Sequence, residues 1–250
     1  MKTIKIRIIA SIAFVVLVGA WAFLLGTFRG SFLEFFPGRV YEPYALTDAA
    51  AGGYSTSEIT VRDSAIVANV NIRSGMAYPY AGFGLNLMSV GNRPAPSRFD
   101  FSRFDTVVVR ASAGRMSKLT LRIMTDDMEY SREGDYLSYR PLLASIPVSS
   151  STGEVKVPLS DFKVPEPWFV AHGLDHDDGF TYWDRALLFE ISSGDGALRG
   201  IPDEFEVQSI YAYGENRGFV NAMYAGLAVL VLAFVASIFV SGRKTRGRNA

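Results

Sequence analysis

Apolar residues along this chain follow two different patterns. At each end they run on unbroken: residues 8–28 and 218–242 hold no charged side chain over 21 and 25 positions. At 1.5 Å rise per residue, either run as a helix covers the roughly 30 Å of a bilayer's hydrocarbon. Between these runs, apolar positions come in short bursts separated by Gly, Pro, Asp and Ser. Leu119, Leu121 and Ile123 alternate with Thr120, Arg122 and Met124, and Val155 and Val157 alternate with Lys156 and Pro158. Period two marks a strand with one face buried. The predicted strands are 58–62, 65–72, 82–88, 106–111, 118–125, 137–147, 154–158, 186–192 and 206–213. No long amphipathic helical pattern interrupts them. The expected fold is mainly β: an antiparallel β-sandwich, or jelly roll, flanked by two transmembrane helices.

The charges beside the two runs set an orientation. Lys2, Lys5 and Arg7 precede the first, and Arg243, Lys244, Arg246 and Arg248 follow the second. Positive charge at both outer flanks places both termini in the cytoplasm and the central domain across the membrane. The expected organisation is a cytoplasmic N-terminus at 1–7, spans at 8–28 and 218–242, a connector at 29–53 and an exported sandwich at 54–217. A basic cytoplasmic tail at 243–250 completes it. This plan suits the inner membrane of a bacterium, with a periplasmic domain. The first run has a second reading as a cleaved signal peptide, because Ala20-Trp21-Ala22 has the small-x-small form of a cleavage site. Phe23-Leu24-Leu25 carries the apolar run past that point, which favours a retained anchor. Ala222 and Gly226, like Ala233 and Ser237, put small residues four apart, a spacing that permits close helix packing. Neither span holds Asp, Glu, Lys, Arg or His, which argues against an ion or proton path.

The formal net charge of zero, from 25 basic and 25 acidic residues, hides an asymmetry. Seven basic residues lie in the tails, so the segment 29–217 carries 18 basic against 25 acidic residues, a net of −7. An acidic ectodomain argues against nucleic acid as a partner. The absence of cysteine removes disulfides, thiolate nucleophiles and Cys-ligated zinc.

Several segments carry a resemblance. Residues 100–110 read Asp-Phe-Ser-Arg-Phe-Asp-Thr-Val-Val-Val-Arg and are followed by Leu119-Thr120-Leu121-Arg122. Residues 157–162 read Val-Pro-Leu-Ser-Asp-Phe, and Tyr182-Trp183-Asp184-Arg185 leads into Leu-Leu-Phe-Glu-Ile at 187–191. This order resembles the galactose-binding-like jelly-roll group, which includes certain carbohydrate-binding modules and the complex-I-assembly-factor type of domain. Similar domains occur as exported sensor regions of bacterial membrane proteins. There a second span leads to a cytoplasmic output domain, whereas here a short basic tail follows it. The resemblance implies a jelly-roll fold and leaves the ligand open.

The richest polar stretch, 126–136, lies between two predicted strands. Tyr130, Tyr136 and Tyr139 could stack on sugar rings, and Arg122, Asp126 and Arg140 could hydrogen-bond hydroxyls. A sugar site needs both an apolar surface and planar polar groups. The bland reading of the same stretch is a solvated acidic loop with aromatics packed on the sheet. Its carboxylates, Asp126 and Asp127 among them, could hold a structural calcium ion, although the spacing is not that of an EF-hand. The only two histidines, His172 and His176, lie with Asp175 and Asp178 in a Gly- and Asp-rich loop that could hold a metal. No Gly-x-Ser-x-Gly, phosphate-binding loop or other catalytic motif occurs, so no enzyme is expected. Two functions remain open. One is a membrane-anchored sensor or binding module for carbohydrate or a similar polar ligand, relaying to a membrane partner. The other is an accessory subunit that docks on an envelope or membrane protein.

Overall fold

Every stretch predicted as a strand is one in the computed structural model, with burial alternating along 118–123 and unbroken along 186–193. The structure describes residues 2–38, 41–90, 93–94, 98–174, 178–194, 196–215 and 217–246. Two compact units divide the chain, 32–214 and the pair of terminal segments 1–31 and 215–250.

The central unit is a sandwich. In chain order its elements are β1 (Gly30–Phe36), β2 (Pro43–Thr47), β3 (Thr56–Arg62), β4 (Ala65–Asn71) and β5 (Ala81–Asn86). A two-residue ribbon of β6 (Ser89–Val90) and β7 (Arg93–Pro94) follows, then β8 (Thr106–Ala113), β9 (Lys118–Thr125), β10 (Arg140–Pro147) and β11 (Gly153–Pro158). A short helix (Glu166–Ala171) precedes β12 (Ala186–Ser193) and β13 (Asp203–Glu215). One sheet runs β11-β8-β13-β4-β3, with β1 added to β13; the other runs β10-β9-β12-β5-β2. Pairing along both paths is antiparallel. The second is called the groove sheet below. Its inner residues, such as Leu119, Leu121, Ile123, Phe83 and Phe189, are fully buried, as are Val107, Val109 and Ile210 opposite. Phe83 and Phe205 meet across the two sheets with ring centroids 6.0 Å apart.

The stretch 29–53, expected as a connector, holds β1 and β2 instead. Residues of β1 alternate in exposure up to Phe35, which is fully buried. Its ring stacks on Phe101 and Phe189 at 5.5 and 5.9 Å and meets Phe99 edge-on at 5.4 Å. This aromatic group closes one end of the core. The strand escapes detection because Phe32, Leu33 and Phe35 follow the apolar run with little polar break.

The terminal unit consists of two helices, Lys2–Phe28 of 27 residues and Arg217–Arg246 of 30 residues. Both are long and apolar enough to cross a membrane. They continue the expected spans outward into the basic flanks. The helices pack on each other: Phe14 stacks on Phe234 at 4.1 Å, and Trp21 Nε1 donates to the Met223 carbonyl at 2.9 Å. A Cβ at Gly226 would lie 2.6 Å from the Trp21 indole, so the small residue at 226 makes room for that ring.

Phe35→Ala should destabilise the sandwich by about 3–5 kcal/mol through the lost burial and the cavity left behind. Denaturant titration of the full chain in detergent measures this. A loss under about 1 kcal/mol would mean that 29–53 behaves as a connector.

Candidate functional site

The outward side chains of the groove sheet form cross-strand rungs. One rung runs Tyr44, Gly84, Glu190, Arg122 and Leu143 across β2, β5, β12, β9 and β10. Glu190 at its centre is fully buried. A buried carboxylate is costly unless its oxygens are paired. Here Tyr44 Oη donates to Oε1 at 2.7 Å, Tyr136 Oη donates to Oε2 at 2.9 Å, and Arg122 Nη1 reaches Oε2 at 3.3 Å. Arg122 Nη1 also donates to Tyr136 Oη at 2.9 Å. Gly84 makes the first bond geometrically open, because any Cβ there would collide with the Tyr44 ring. Burial raises the pKa of both tyrosine hydroxyls, and the neighbouring carboxylate raises it further. Burial alone would lower the Arg122 pKa, but Glu190, Tyr136 and Tyr80 raise it, so its charge is held.

Above this rung lies a groove of about 720 Å³. Thr120, Arg122, Met124 and Ser192 contribute to its floor. Tyr78, Pro79 and Tyr80 stand on one wall, and Tyr136, Leu137, Pro167 and Trp168 on others. Tyr80 is fixed by the Arg122 guanidinium, which lies 4.2 Å over its ring. Tyr78 is 72% exposed at the rim. The segment bearing these tyrosines is tied to 194–200 by the Gly200 amide, which donates to the Ile72 carbonyl at 2.7 Å.

Arg122, Tyr136 and Tyr139 of the expected site line this groove, although Tyr139 is buried. Arg140 does not line it and is fully buried. Its Nε donates to Asp127 at 2.6 Å, and Nη1 and Nη2 clasp Asp178 at 2.7 and 2.6 Å. Nη1 also reaches the Phe180 carbonyl at 3.0 Å, and the guanidinium lies 4.4 Å over Trp168. Asp127 in turn accepts from the amides of Glu129 and Tyr130. Arg140 is thus the anchor of the loop. Tyr130 packs edge-on against Trp168 and His172. Asp126 pairs with Arg98 and Arg185 at 2.8 and 2.6 Å.

The expected metal ligands do not converge among the described residues. Asp126, Asp127 and Asp178 face arginines, and His172 Nδ1 lies 2.8 Å from the Trp168 carbonyl. Asp175 and His176 lie outside the described residues. The serine and threonine hydroxyls of the groove have no described histidine or carboxylate lining it beside them.

Sequence reasoning missed Tyr44, Tyr78, Tyr80 and Glu190. Two signals were present: the aromatic–proline–aromatic run at 78–80, and a lone carboxylate inside the apolar run at 187–191.

No protein-family profile matches the sequence, and no curated protein matches it. Among solved structures, the fold is similar to the family 11 carbohydrate-binding module of a cellulosomal cellulase of Clostridium thermocellum. Identity there is 14%, the match covers 73% of this chain and 93% of that one, and the TM-score is 0.47. It is also similar to the family 11 module of the same organism in complex with a β-1,3-1,4-mixed-linked tetrasaccharide, at 15% identity, 74% and 96% coverage and TM-score 0.47. A family 30 module of another cellulosomal cellulase of that organism matches at 12% identity, 73% and 96% coverage and TM-score 0.40.

Arg140→Ala should cost about 3–5 kcal/mol in denaturant unfolding, because it leaves the Asp127 carboxylate buried and unpaired. The Arg140 hydrogen bonds hold the Asp178 carboxyl below its ordinary pKa. The Asp178 contribution is therefore complete above about pH 4, the unfolded value, and is lost as pH falls through the lower folded value. Asp178→Asn should flatten the acid limb of the stability–pH curve; an unchanged limb would exclude this linkage.

Proposed function

We propose that the sandwich is a non-catalytic carbohydrate-binding module, held at a membrane by the two apolar helices. The groove carries this reading. Its lining combines Tyr78, Tyr80 and Tyr136 with Thr120, Ser192 and Arg122. A sugar ring has an apolar C–H face and a rim of hydroxyls, and this pairing of surfaces suits both. Pre-organisation supports it further: Tyr136 is bonded to Glu190 and Tyr80 is stacked on Arg122, so little ordering is left for a ligand to impose.

In this reading the basic flanks keep both termini in the cytoplasm and the sandwich in the periplasm of a bacterium. Occupancy of the groove is relayed to a membrane partner through the second span. That span begins two residues after the end of β13. The alternative, an accessory subunit docking on an envelope protein, has its own support. Met128, Val170 and Phe180 are 75%, 69% and 58% exposed, on segments next to the groups gathered around Arg140.

Binding of the full chain in nanodiscs to a glycan panel, followed by calorimetry, tests the proposal. Tyr78→Ala should weaken the selected glycan by about tenfold, as loss of an aromatic contact does, and leave the melting temperature unchanged. A panel without a single binder would overturn the carbohydrate reading and favour the docking one.

A further inference from the structure

The groove has a chemical bias that narrows its ligand. Among the described residues, Arg122 and Arg199 are the charged side chains that line it, and no described Asp, Glu, Asn or Gln does so. Asp195, between the lining residues Gly194 and Gly196, lies outside the described residues. Glu190, below the floor, is fully buried, and its oxygens already accept from two tyrosines and Arg122. It therefore supplies no acceptor to a ligand.

The donors are less committed. A guanidinium carries five N–H donors. Arg122 uses Nη1 for Tyr136 and Glu190, while its Nε is buried without a hydrogen-bond partner. No hydrogen bond from its Nη2 is present among the described residues, and 12% of the side chain is exposed. The Arg199 side chain is exposed, and among the described residues its one hydrogen-bond contact is a long one, from Nη2 to the Ala77 carbonyl at 3.5 Å. The described lining thus offers two guanidinium groups and no carboxylate, on a segment whose net charge is −7.

A neutral sugar presents hydroxyls that donate as well as accept, and carboxylate or amide side chains answer those donors. This lining offers few such acceptors. A carboxylated sugar supplies what the lining lacks, namely negative charge and acceptor oxygens in a plane that fits a guanidinium fork. Resting on the carbohydrate reading, we infer that the groove selects acidic glycans, recognising uronate carboxylates through Arg122 and Arg199.

The test compares oligogalacturonate, a neutral oligosaccharide of equal length and a sulfated neutral one. Calorimetry uses the full chain in zwitterionic nanodiscs, at low and raised salt. The uronate should bind about tenfold or more tightly than the neutral sugar, the gain expected of one charge-assisted pair. That preference should shrink as salt rises. Arg199→Gln should reduce uronate affinity several-fold, by more than it reduces neutral-sugar affinity, and leave the melting temperature unchanged. Neutral binding as tight as uronate binding would overturn the acidic preference and leave the carbohydrate reading standing. So would binding of the sulfated sugar without the uronate, or an Arg199→Gln variant with full uronate affinity. Binding of none of the three would overturn the acidic preference and count against the carbohydrate reading, which the wider panel decides.

Discussion

A carboxylate buried on the outward face of the groove sheet, below the groove floor, is the constraint on which the site depends. Glu190 sits on β12, between β9 and β5, where solvent cannot reach it. Its charge must be met by protein groups, and each group that meets it fixes a different part of the site. Arg122 fixes the floor. Tyr136 fixes the turn at Tyr136–Ser138, because its hydroxyl is bonded to the same oxygen. Tyr80, under the guanidinium, fixes the opposite wall. Two walls that are far apart in sequence are therefore referred to a single anion. Gly84 belongs to this arrangement although it makes no contact of its own: without its bare backbone Tyr44 could not cross to the carboxylate.

The other buried cation shows what separates a site from a scaffold. Arg140 and Arg122 are both paired with carboxylates and both lie over an aromatic ring. Arg140 spends its guanidinium on Asp127, Asp178 and a carbonyl, and it is closed to solvent. Arg122 leaves Nε unpaired and keeps 12% of its side chain exposed toward the groove. The first arrangement stabilises a loop and offers nothing further. The second holds a charge in place while leaving part of the side chain open to the groove.

This difference also explains what was legible in the sequence. Every predicted strand is present: alternation marks strands such as β9, and a short apolar run marks β12, which is buried on both faces. The strands β1 and β2 were not legible. Phe35 earns its buried place from Phe101 and Phe189, which lie far along the chain. In the site, composition pointed to 126–140, where Tyr, Asp and Arg are dense. Whether such groups face a ligand depends on partners that spacing does not reveal. Arg140 finds Asp178 at 38 residues' separation, and Asp126 finds Arg185 at 59. Arg122 and Tyr136 do line the groove: one is a polar position of an alternating strand, the other lies in the loop that follows it. Tyr78 and Tyr80 lie in an irregular segment with neither period nor charge to mark them.

Register ties the core and the groove together. Leu121 and Ile123 face the core while Arg122, between them, faces the groove, so a slip by one residue would exchange the two. Pairing of β12 with β9 shifts between Ala186 and Leu188. Such a bulge re-aims the side chains around it. Leu187 and Leu188, successive in the chain, both join Met124 and Tyr139 in a small apolar cluster apart from the main core. Tyr44 and Tyr136 pack against that cluster, so their rings rest on apolar support while their hydroxyls reach Glu190. The aromatic wall is therefore held at both ends, by burial beneath the ring and by charge at its tip. A ligand entering the groove meets a surface already set in position.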